Sequence, residues 1–372
     1  MSTFITRYET SGSGPRLSVK DLIDMAGEVT TAGCRAVAER AKPADRDAAC
    51  LAGARAAGAR IVGRTNLHEL ALGVTGINPW FGTPVNPLDP TRVPGGSSSG
   101  AAVSVATGEA DVAFGSDTGG SVRIPAACCG VAALKTTFGR IPLAGVWPLS
   151  PSFDTVGPLA REVAGLVLGM ELLEPGFSVA PASEVIVGRL SVEADPSITA
   201  AIDAALAGSG ASVVDVALPG WDQATTDGGL LLVAEAWATD RELVEEHPDE
   251  IGTDVRERLL IGSTFGAGVL ASARRGEQAW RDELSMAFSL VDFVVTPTLL
   301  IPPPTLDDGR ELLVARCTIP VNLGGVPALS LPVSTSGPFP ASLQVIGPAG
   351  SEERLLAFGA CLEAAAGWLP RG

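Results

Sequence analysis

The clearest candidates for chemistry in this chain are two glycine- and serine-rich stretches, GGSSSG at 95–100 and GSDTGGSVRIP at 115–125. A serine hydroxyl is a weak nucleophile until a neighbouring base takes its proton. Glycine and serine are also ordinary turn residues, so either stretch alone could be a tight turn. Two such stretches this close together favour a catalytic loop, with Ser121 as a candidate nucleophile.

The supply of histidines limits which base such a serine could use. The chain has two, His68 in TNLHELALG and His247 in VEEHPDE. The polar, acidic surroundings of His247 indicate a solvated surface residue. His68 lies in an apparently amphipathic helix, which favours a packing or capping role. A serine nucleophile here therefore needs a different base, and lysine is the common substitute.

Three short motifs in the same region predict other chemistry, and each lacks a part that it needs. Gly96-x-Ser98-x-Gly100 matches a nucleophile elbow, which requires a preceding strand, but the proline-rich NPLDPTRVP stands there. The tripeptide that starts at Asp117 matches aspartic proteases, which need two such carboxylates, and the sequence has no second copy. A phosphate-binding loop would end in Gly-Lys-Ser/Thr, yet the next lysine is Lys135.

The composition indicates a folded globular protein from a reducing compartment. Hydrophobic residues make up 46% and charged residues 18% of the 372 residues, which is outside the disordered range. The net charge of −16 would repel a phosphate backbone, so nucleic acid is not an expected partner. The six cysteines show no CxxC spacing and two are adjacent, which argues against a zinc site or a disulfide framework.

The hydropathy of the chain predicts no targeting or membrane segment. The N-terminal MSTFITRYETSGSGPRLSVKD lacks the apolar core of a signal peptide. No charge-free run of 18 apolar residues follows. We therefore expect a cytoplasmic protein that does not enter a membrane.

Helical patterns alternate with short strand patterns along most of the chain. The predicted helix–strand pairs are a helix ending near Gly58 before a strand at 61–62, a helix at 100–107 before a strand at 110–114, and a helix from Pro196 before a strand at 212–218. Later strands are predicted at 293–296, in VPALSLPV and in ASLQVIGP, and a last helix in SEERLLAFGACLEAAAG. This order predicts an α/β fold with a mixed sheet.

Several longer motifs occur in a fixed order: PRLSVKDLID, GRTNLHELALGVTGINP, FGTPVNP, PGGSSSGAAVSVATG, GSDTGGSVRIPAACCGVAALKTTFGR, LSPSFDTVGPLAR, FVVTPTL, TIPVNLGGVPALSLPV and LQVIGPAGSEERLL. Together they resemble the amidase signature family over nearly the whole chain. The resemblance implies one domain over residues 1–372, built on a single large twisted mixed β-sheet with helices on both faces. Its parts would be a signature region at about 15–165, a helical elaboration at about 175–290, and closing strands and a helix at about 291–368.

The resemblance also implies a catalytic unit of the Ser–cis-Ser–Lys type. Carried onto this chain, Lys20 of the VKD segment is the base, Ser97 is the bridging serine and Ser121 is the nucleophile. The two serines are 24 residues apart, which agrees with the family spacing and favours Ser97 over its serine neighbours. The resemblance further implies a cis peptide bond between Gly96 and Ser97.

To act as a base, Lys20 needs a pKa well below that of an ordinary lysine. Its amine accepts a proton only when it is uncharged, so its pKa must fall from about 10.4. Burial lowers that pKa because it disfavours the charged form. RLSVKDLI predicts a buried strand, in which alternation turns Asp21 away from the face that carries Lys20. A carboxylate pointing at the amine would instead keep it protonated.

The glycines before Ser121 suit an oxyanion-binding loop, because they let the backbone curl without a Cβ in the way. The resemblance assigns four backbone N–H groups to the developing oxyanion, those of Thr118, Gly119, Gly120 and Ser121. We expect Asp117 and Arg123 to brace this loop by hydrogen bonding and ion pairing. Ser98 is expected to donate a supporting hydrogen bond.

One residue, Ile124, indicates which kind of substrate the protein prefers. The A subunits of tRNA-dependent amidotransferases typically carry glutamine there, and a branched apolar side chain satisfies neither a carboxylate nor a second amide. We therefore hypothesise a neutral, partly apolar acyl group with Trp147, Leu149 and Phe153 as further walls of the pocket. The alternative that these three side chains only pack in the core stays open.

The leading expectation is an amidase that converts R–CO–NH₂ and water into a carboxylic acid and ammonia, or an amine, through an acyl-enzyme on Ser121. It needs no metal and no organic cofactor, and its partner is a small-molecule amide. One alternative is a glutaminase-type A subunit of a tRNA-dependent amidotransferase. Another is a non-catalytic scaffold that retains the fold. A homodimer stays open.

Overall fold

A single mixed β-sheet forms the centre of the molecule. The computed structural model describes residues 2–181, 184–308 and 314–366, so the last predicted residues, 367–368, lie outside the described part. The strands within the described residues are β1 Phe4–Arg7, β2 Arg16–Lys20, β3 Arg60–Thr65, β4 Val112–Ser116, β5 Ala132–Lys135, β6 Val156–Ala160, β7 Ile186–Leu190, β8 Ser212–Val216, β9 Phe293–Pro297, β10 Ala328–Val333 and β11 Ala341–Ile346.

The strand order in the sheet is β1-β3-β2-β4-β6-β5-β10-β11-β9-β7-β8. Two parallel groups, β3-β2-β4 and β9-β7-β8, flank a central antiparallel region, and the edge strand β1 pairs antiparallel with β3. This arrangement confirms the α/β class with one large mixed sheet. It also puts the carboxyl ends of β2 and β4 side by side at one edge.

Helices cover both faces of this sheet. They are α1 Arg35–Ala38, α2 Ala52–Ala56, α3 Ser99–Ala106, α4 Arg123–Cys129, α5 Val163–Leu173, α6 Pro196–Gly208, α7 Trp221–Glu246, α8 Thr253–Gly262, α9 Ala267–Phe288, α10 Ile319–Gly324 and α11 Glu352–Ala366. Alternation along β4 shows the two faces, because successive side chains of a strand point to opposite sides. Phe114 packs in the same cluster as Leu166 of α5, whereas Ala113 packs with Ala102 of α3.

The small residues of α3 have a direct structural role. The helix SGAAVSVA runs so close to the chain before it that a Cβ on Gly100 would lie 2.3 Å from the carbonyl oxygen of Thr3. A side chain there would push the helix away from the sheet. Since α3 begins two residues after Ser97, this close packing helps to position the serine-rich stretch.

The segment at 175–290 differs from the expected helical elaboration. It contains the long helices α7 and α9, but also two strands of the main sheet, β7 and β8. The strand β8 matches the strand predicted at 212–218 and lies exposed at the sheet edge. Among the described residues, no helix combines the length and apolarity needed to cross a membrane.

Candidate active site

Lys20 lies where two parallel strands end. It is the last residue of β2, and Ser116 is the last residue of the neighbouring β4. The Lys20 Nζ donates to Ser116 Oγ at 2.8 Å and to Ser97 Oγ at 2.7 Å. All three side chains are buried. The sheet therefore brings together the predicted base and the predicted bridging serine, which are 77 positions apart in the chain.

Backbone hydrogen bonds before and after the Ser97 Cα fix the position of this residue. A cis peptide bond joins it to Gly96, as the resemblance implies. The Gly96 N–H donates to the carbonyl of Val74 at 2.7 Å, and the N–H of His68 donates to the carbonyl of Ser97 at 3.0 Å. These contacts come from the segment after β3, so the position of Ser97 depends on the residues at 68–74.

Ser121 lies in the loop between β4 and α4, next to this serine-rich stretch. The N–H of Ser98 donates to the carbonyl of Ser121 at 3.1 Å, and Ser98 Oγ donates to the carbonyl of Ser116 at 3.2 Å. Within the described residues, no hydrogen bond joins Ser97 Oγ to Ser121 Oγ. Such contacts are often looser before a substrate binds, and the transfer between these two hydroxyls belongs to the proposal below.

The Asp117 carboxylate organises the loop that carries Ser121. Its Oδ1 accepts from the N–H of Gly120 at 2.8 Å, and its Oδ2 accepts from the N–H of Val122 at 3.2 Å. The Arg123 guanidinium donates to both oxygens, from Nη2 at 2.9 Å and from Nε at 3.0 Å. Both charged groups are fully buried. The predicted bracing by Asp117 and Arg123 is therefore present as a two-point ion pair.

Residues from the C-terminal part complete the surroundings of this ion pair. Arg123 also donates to Gln344 Oε1 at 2.7 Å, to Asn322 Oδ1 at 2.5 Å and to the carbonyl of Thr318 at 3.3 Å. Burial alone would raise the pKa of Asp117, but the Arg123 guanidinium holds it well below its ordinary value. The carboxylate is thus ionised at every physiological pH.

Asp117→Asn is expected to lower the free energy of unfolding by about 3–5 kcal/mol, because it leaves the buried Arg123 without its counter-charge. Urea denaturation of the variant measures this loss. The matched control is Glu39→Gln, which removes the exposed ion pair with Arg35 and should leave the free energy of unfolding almost unchanged. Equal losses in both variants would contradict a structural role for the buried pair.

The four predicted oxyanion donors are not equivalent in the structure. The N–H of Gly120 is already bonded to Asp117, which corrects its assignment and leaves Thr118, Gly119 and Ser121 as candidates. Gly120 has φ +128°, and a Cβ on it would lie 2.3 Å from Thr318 Oγ1. Only glycine fits at that position.

Thr118 is held by a second carboxylate, that of Asp154. Its Oγ1 donates to Asp154 Oδ1 at 2.6 Å, and the N–H of Leu149 donates to the other oxygen at 2.9 Å. Burial raises the pKa of Asp154. The loop with the candidate donors is thus attached at Thr118 as well as at Asp117, which keeps its backbone preorganised.

The surroundings of Lys20 lower the pKa of its amine, as a base in this position requires. Burial lowers the pKa of Lys20 from 10.5 to about 7, although the carboxylates of Asp117 and Asp154 act in the opposite direction. A substantial fraction of this amine is therefore uncharged near neutral pH. An uncharged amine is the form that can accept a proton from a hydroxyl group.

Asp21 faces away from Lys20, as strand alternation predicts. Its carboxylate accepts hydrogen bonds from the Arg64 guanidinium and from the Thr31 hydroxyl, and the N–H of Thr31 donates to it at 3.2 Å. The neighbouring carboxylate is therefore paired with its own cation. It does not hold the Lys20 amine in the charged form.

A cavity of about 190 Å³ opens beside Ser121 and Gly119. Its walls are mostly apolar and come from segments far apart in the chain. They are formed by Ala71, Leu72, Gly73, Val74, Leu149, Gly229, Leu232, Val233, Arg258, Ala315 and Ile319. One charged side chain, that of Arg258, belongs to this set.

The predicted pocket walls need correction at three of four positions. Leu149 lines the cavity, but the other three side chains pack elsewhere, in separate hydrophobic clusters. Ile124 is fully buried in a separate cluster of apolar side chains, and Phe153 is buried in the core beside α7. Trp147 is partly buried and donates from Nε1 to Asp240 Oδ1 at 3.3 Å. For Trp147 and Phe153 the core-packing alternative describes the structure.

Sequence reasoning missed several residues of the site. Ser116 was overlooked although it lies inside GSDTGGSVRIP, directly at the end of a predicted strand. A signal for Gln344 was its polar side chain within an otherwise apolar strand, ASLQVI. Arg258 had no such signal, because it lies in the segment with the weakest pattern.

The two histidines are placed differently from each other. His68 is buried and precedes a short 3₁₀ turn at Glu69–Ala71, so it does not lie on an amphipathic α-helix. His247 is partly exposed, next to Glu246. Neither contacts Ser121. Within the described ranges, no three His, Cys, Asp or Glu side chains are arranged to hold a metal ion.

Comparison with known proteins identifies the family to which this fold belongs. The Amidase family model matches residues 13–356. The chain is 32% identical to the A subunit of the glutamyl-tRNA(Gln) amidotransferase of Halobacterium salinarum, covering 98% of this chain and 99% of the relative. The chain therefore belongs to the amidase signature family.

Solved structures show the same relationship. A crystal structure of an amidase superposes with a TM-score of 0.87 and 35% identity, covering 95% of this chain and 85% of that one. The A subunit of the glutamyl-tRNA(Gln) amidotransferase of Thermotoga maritima superposes with a TM-score of 0.84 and 27% identity, covering 99% of this chain and 90% of that one. The protein is thus an enzyme of amide carbon–nitrogen bonds, which disfavours the scaffold alternative.

Proposed function

We propose that this chain hydrolyses carboxylic amides through an acyl-enzyme on Ser121, with Ser97 as the proton relay and Lys20 as the base. The observation that carries this proposal is the 2.7 Å contact between Lys20 Nζ and Ser97 Oγ in a fully buried setting. Burial brings the pKa of Lys20 to about 7. No metal or organic cofactor takes part in the proposed steps.

The first half of the reaction forms the acyl-enzyme. Ser121 Oγ attacks the amide carbon while its proton passes to Ser97 Oγ, whose own proton passes to the uncharged Lys20 amine. The carbonyl oxygen becomes an oxyanion, and N–H groups from Thr118, Gly119 and Ser121 are the proposed donors to it. Such a donor is worth roughly 3–4 kcal/mol in a well-studied serine hydrolase.

The second half releases both products. The proton held by Lys20 returns through Ser97 to the leaving nitrogen, the carbon–nitrogen bond breaks, and ammonia or an amine leaves. Water then attacks the ester on Ser121 and gives its proton to the same relay. The ester bond breaks, the carboxylic acid leaves, and the Ser121 hydroxyl is restored. Each step moves one proton along one chain of hydroxyl groups.

The size and polarity of the cavity beside Ser121 limit which acyl groups fit into it. A space of about 190 Å³ with Leu72, Leu149 and Leu232 in its walls fits a short, neutral acyl group. Burying a charged group against these side chains without a partner would be unfavourable. The cavity therefore supports a small neutral amide as one candidate substrate.

A second candidate is glutamine, as in a glutaminase-type A subunit of a tRNA-dependent amidotransferase. The specific observation in its favour is Arg258, whose guanidinium could pair with an α-carboxylate at the cavity wall. The similar proteins from Halobacterium salinarum and Thermotoga maritima are A subunits of glutamyl-tRNA(Gln) amidotransferases, so the comparisons favour this candidate over a free-standing amidase. Partner subunits would then be expected.

Ammonia release from short neutral amides and from L-glutamine separates the two candidates. A glutaminase should prefer glutamine, and in Arg258→Gln the KM for glutamine should rise more than the KM for a neutral amide. A free-standing amidase should prefer the neutral amide in the purified chain without any partner. Release from neither substrate class, with or without partner proteins, would contradict the proposed function. Cytoplasmic localisation and a homodimer stay predictions.

A further inference from the structure

His68 has more contacts than a simple core histidine needs. The ring is buried, with Nε2 3.1 Å from Asp254 Oδ2 and Nδ1 3.3 Å from Thr75 Oγ1. Asp254 stands in the first turn of α8, whereas Thr75 follows the cavity wall at 71–74. The imidazole thus links α8 to the segment that forms one side of the acyl cavity.

The backbone of that segment lies directly against the ring. A Cβ on Gly73 would lie 2.1 Å from His68 Nε2, so no side chain separates the two. One helical turn after Asp254, the Arg258 Nη1 donates to the carbonyl of Leu72 at 3.0 Å. The helix α8 is therefore connected to the segment at 72–75 at two points. Asp254 contacts it through the His68 ring, and Arg258 contacts it directly.

The same segment contacts both the substrate side and the catalytic side of the site. Leu72, Gly73 and Val74 line the acyl cavity. The carbonyl of Val74 accepts the N–H of Gly96, and the backbone of His68 itself donates to Ser97. Loss of the imidazole contacts would change the shape of the acyl cavity, whereas the backbone hydrogen bonds to Gly96 and Ser97 do not involve the imidazole.

We propose that His68 is a positioning residue for the acyl group. By joining Asp254 to Thr75 and packing on Gly73, it sets the position of the wall at 72–74 relative to Ser121. This inference rests on the proposed amide hydrolysis. It predicts that loss of the imidazole weakens substrate binding, whereas the reactivity of the Ser121 hydroxyl is preserved.

The test uses His68→Ala, His68→Gln and Asp254→Asn in the full chain, with His247→Ala as the matched control at the other histidine. KM for the best amide substrate should rise about tenfold in His68→Ala, as for the loss of a buried hydrogen bond. His68→Gln retains an N–H near the position of Nε2 and should restore part of the loss. His247→Ala should keep the KM of the unchanged chain.

Labelling of Ser121 by a small fluorophosphonate gives a readout that does not depend on amide binding. We expect the labelling rate and the pH dependence of kcat to match those of the unchanged chain in all folded variants. A variant that is only less stable would lower kcat through a smaller active fraction and leave KM as it was, and that result would overturn the inference. If His68→Ala does not fold, the KM of Asp254→Asn tests the inference instead. The Asp254 side chain is half exposed, so we expect this variant to fold.

The double variant His68→Gln/Asp254→Asn adds a check on the mechanism. Because the two residues would act through one contact, its KM should not exceed the larger KM of the two single variants. Additive increases would overturn the linkage between α8 and the cavity wall. An unchanged chain that is neither labelled at Ser121 nor active on amides would instead contradict the proposed function, which distinguishes the two failures.

Discussion

We expect Ser121→Ala to abolish both amide hydrolysis and fluorophosphonate labelling of this chain. In the proposed mechanism the hydroxyl of Ser121 forms the acyl-enzyme, and its neighbour Ser97 cannot replace it, because Ser97 is buried beside Lys20. Removal of the nucleophile in a well-studied serine hydrolase lowers kcat on the order of 10⁶-fold. Mass spectrometry of the labelled peptide identifies the modified serine, and ammonia release measures turnover.

The matched control for this result is Ser99→Ala in the same serine-rich stretch. The Oγ of Ser99 is buried and has no hydrogen-bond partner among the described residues, so its removal should leave turnover close to that of the unchanged chain. Labelling that persists in Ser121→Ala, or turnover that survives it, would show that a different residue is the nucleophile.

If Lys20 is the base, as proposed, we expect Lys20→Met to lower kcat/KM by about 10²–10⁴-fold, the range of general base catalysis. It should also remove the acid limb of the pH profile. The sign follows from the pKa of about 7 that burial imposes on Lys20. Below that pH the amine is protonated and cannot accept the proton of Ser97, so kcat/KM of the unchanged chain falls about tenfold per pH unit. Above it the amine is free, and the rate levels off.

Lys135→Met is the matched control for the base. This lysine is also fully buried, and burial likewise lowers its pKa to about 7. Its Nζ donates to the carbonyls of Thr136 and Val326, at 2.9 and 3.0 Å, and not to a serine hydroxyl. Lys135→Met should lower the free energy of unfolding. Its folded molecules should still show the acid limb of the pH profile of kcat/KM. A limb that persists in Lys20→Met would show that another group is the base.

The local sequence was enough to predict how the loop at 117–123 is braced and that Lys20 and Asp21 face different sides. Ser121 and its bracing residues Asp117 and Arg123 lie within seven consecutive positions, and their types demand a turn with a buried ion pair. The alternation in RLSVKDLI placed Lys20 and Asp21 on different sides, and the structure pairs Asp21 with Arg64. These predictions succeeded because short-range backbone geometry decides them.

Other predictions failed where neighbours from distant segments decide the outcome. Ile124 and Phe153 are as apolar as a pocket wall should be. Phe153 instead packs in a core cluster with residues of the sheet and α7, and Ile124 packs in a separate cluster of buried side chains. The walls come instead from the region at 71–74, from α7 and α8, and from residues beside α10. Apolar character alone does not say which side of a loop a side chain will face.

The amino-acid sequence by itself therefore determined the nucleophile loop, the strand that carries the lysine and the class of fold, since each depends on residues close together in the chain. Only the tertiary structure decided that Lys20 contacts Ser97 and Ser116, that the Gly120 amide is bonded to Asp117, and which residues surround the acyl group. Contact distances and pKa values depend on burial and on charges contributed by remote segments. Those neighbours are defined only when the whole sheet has formed.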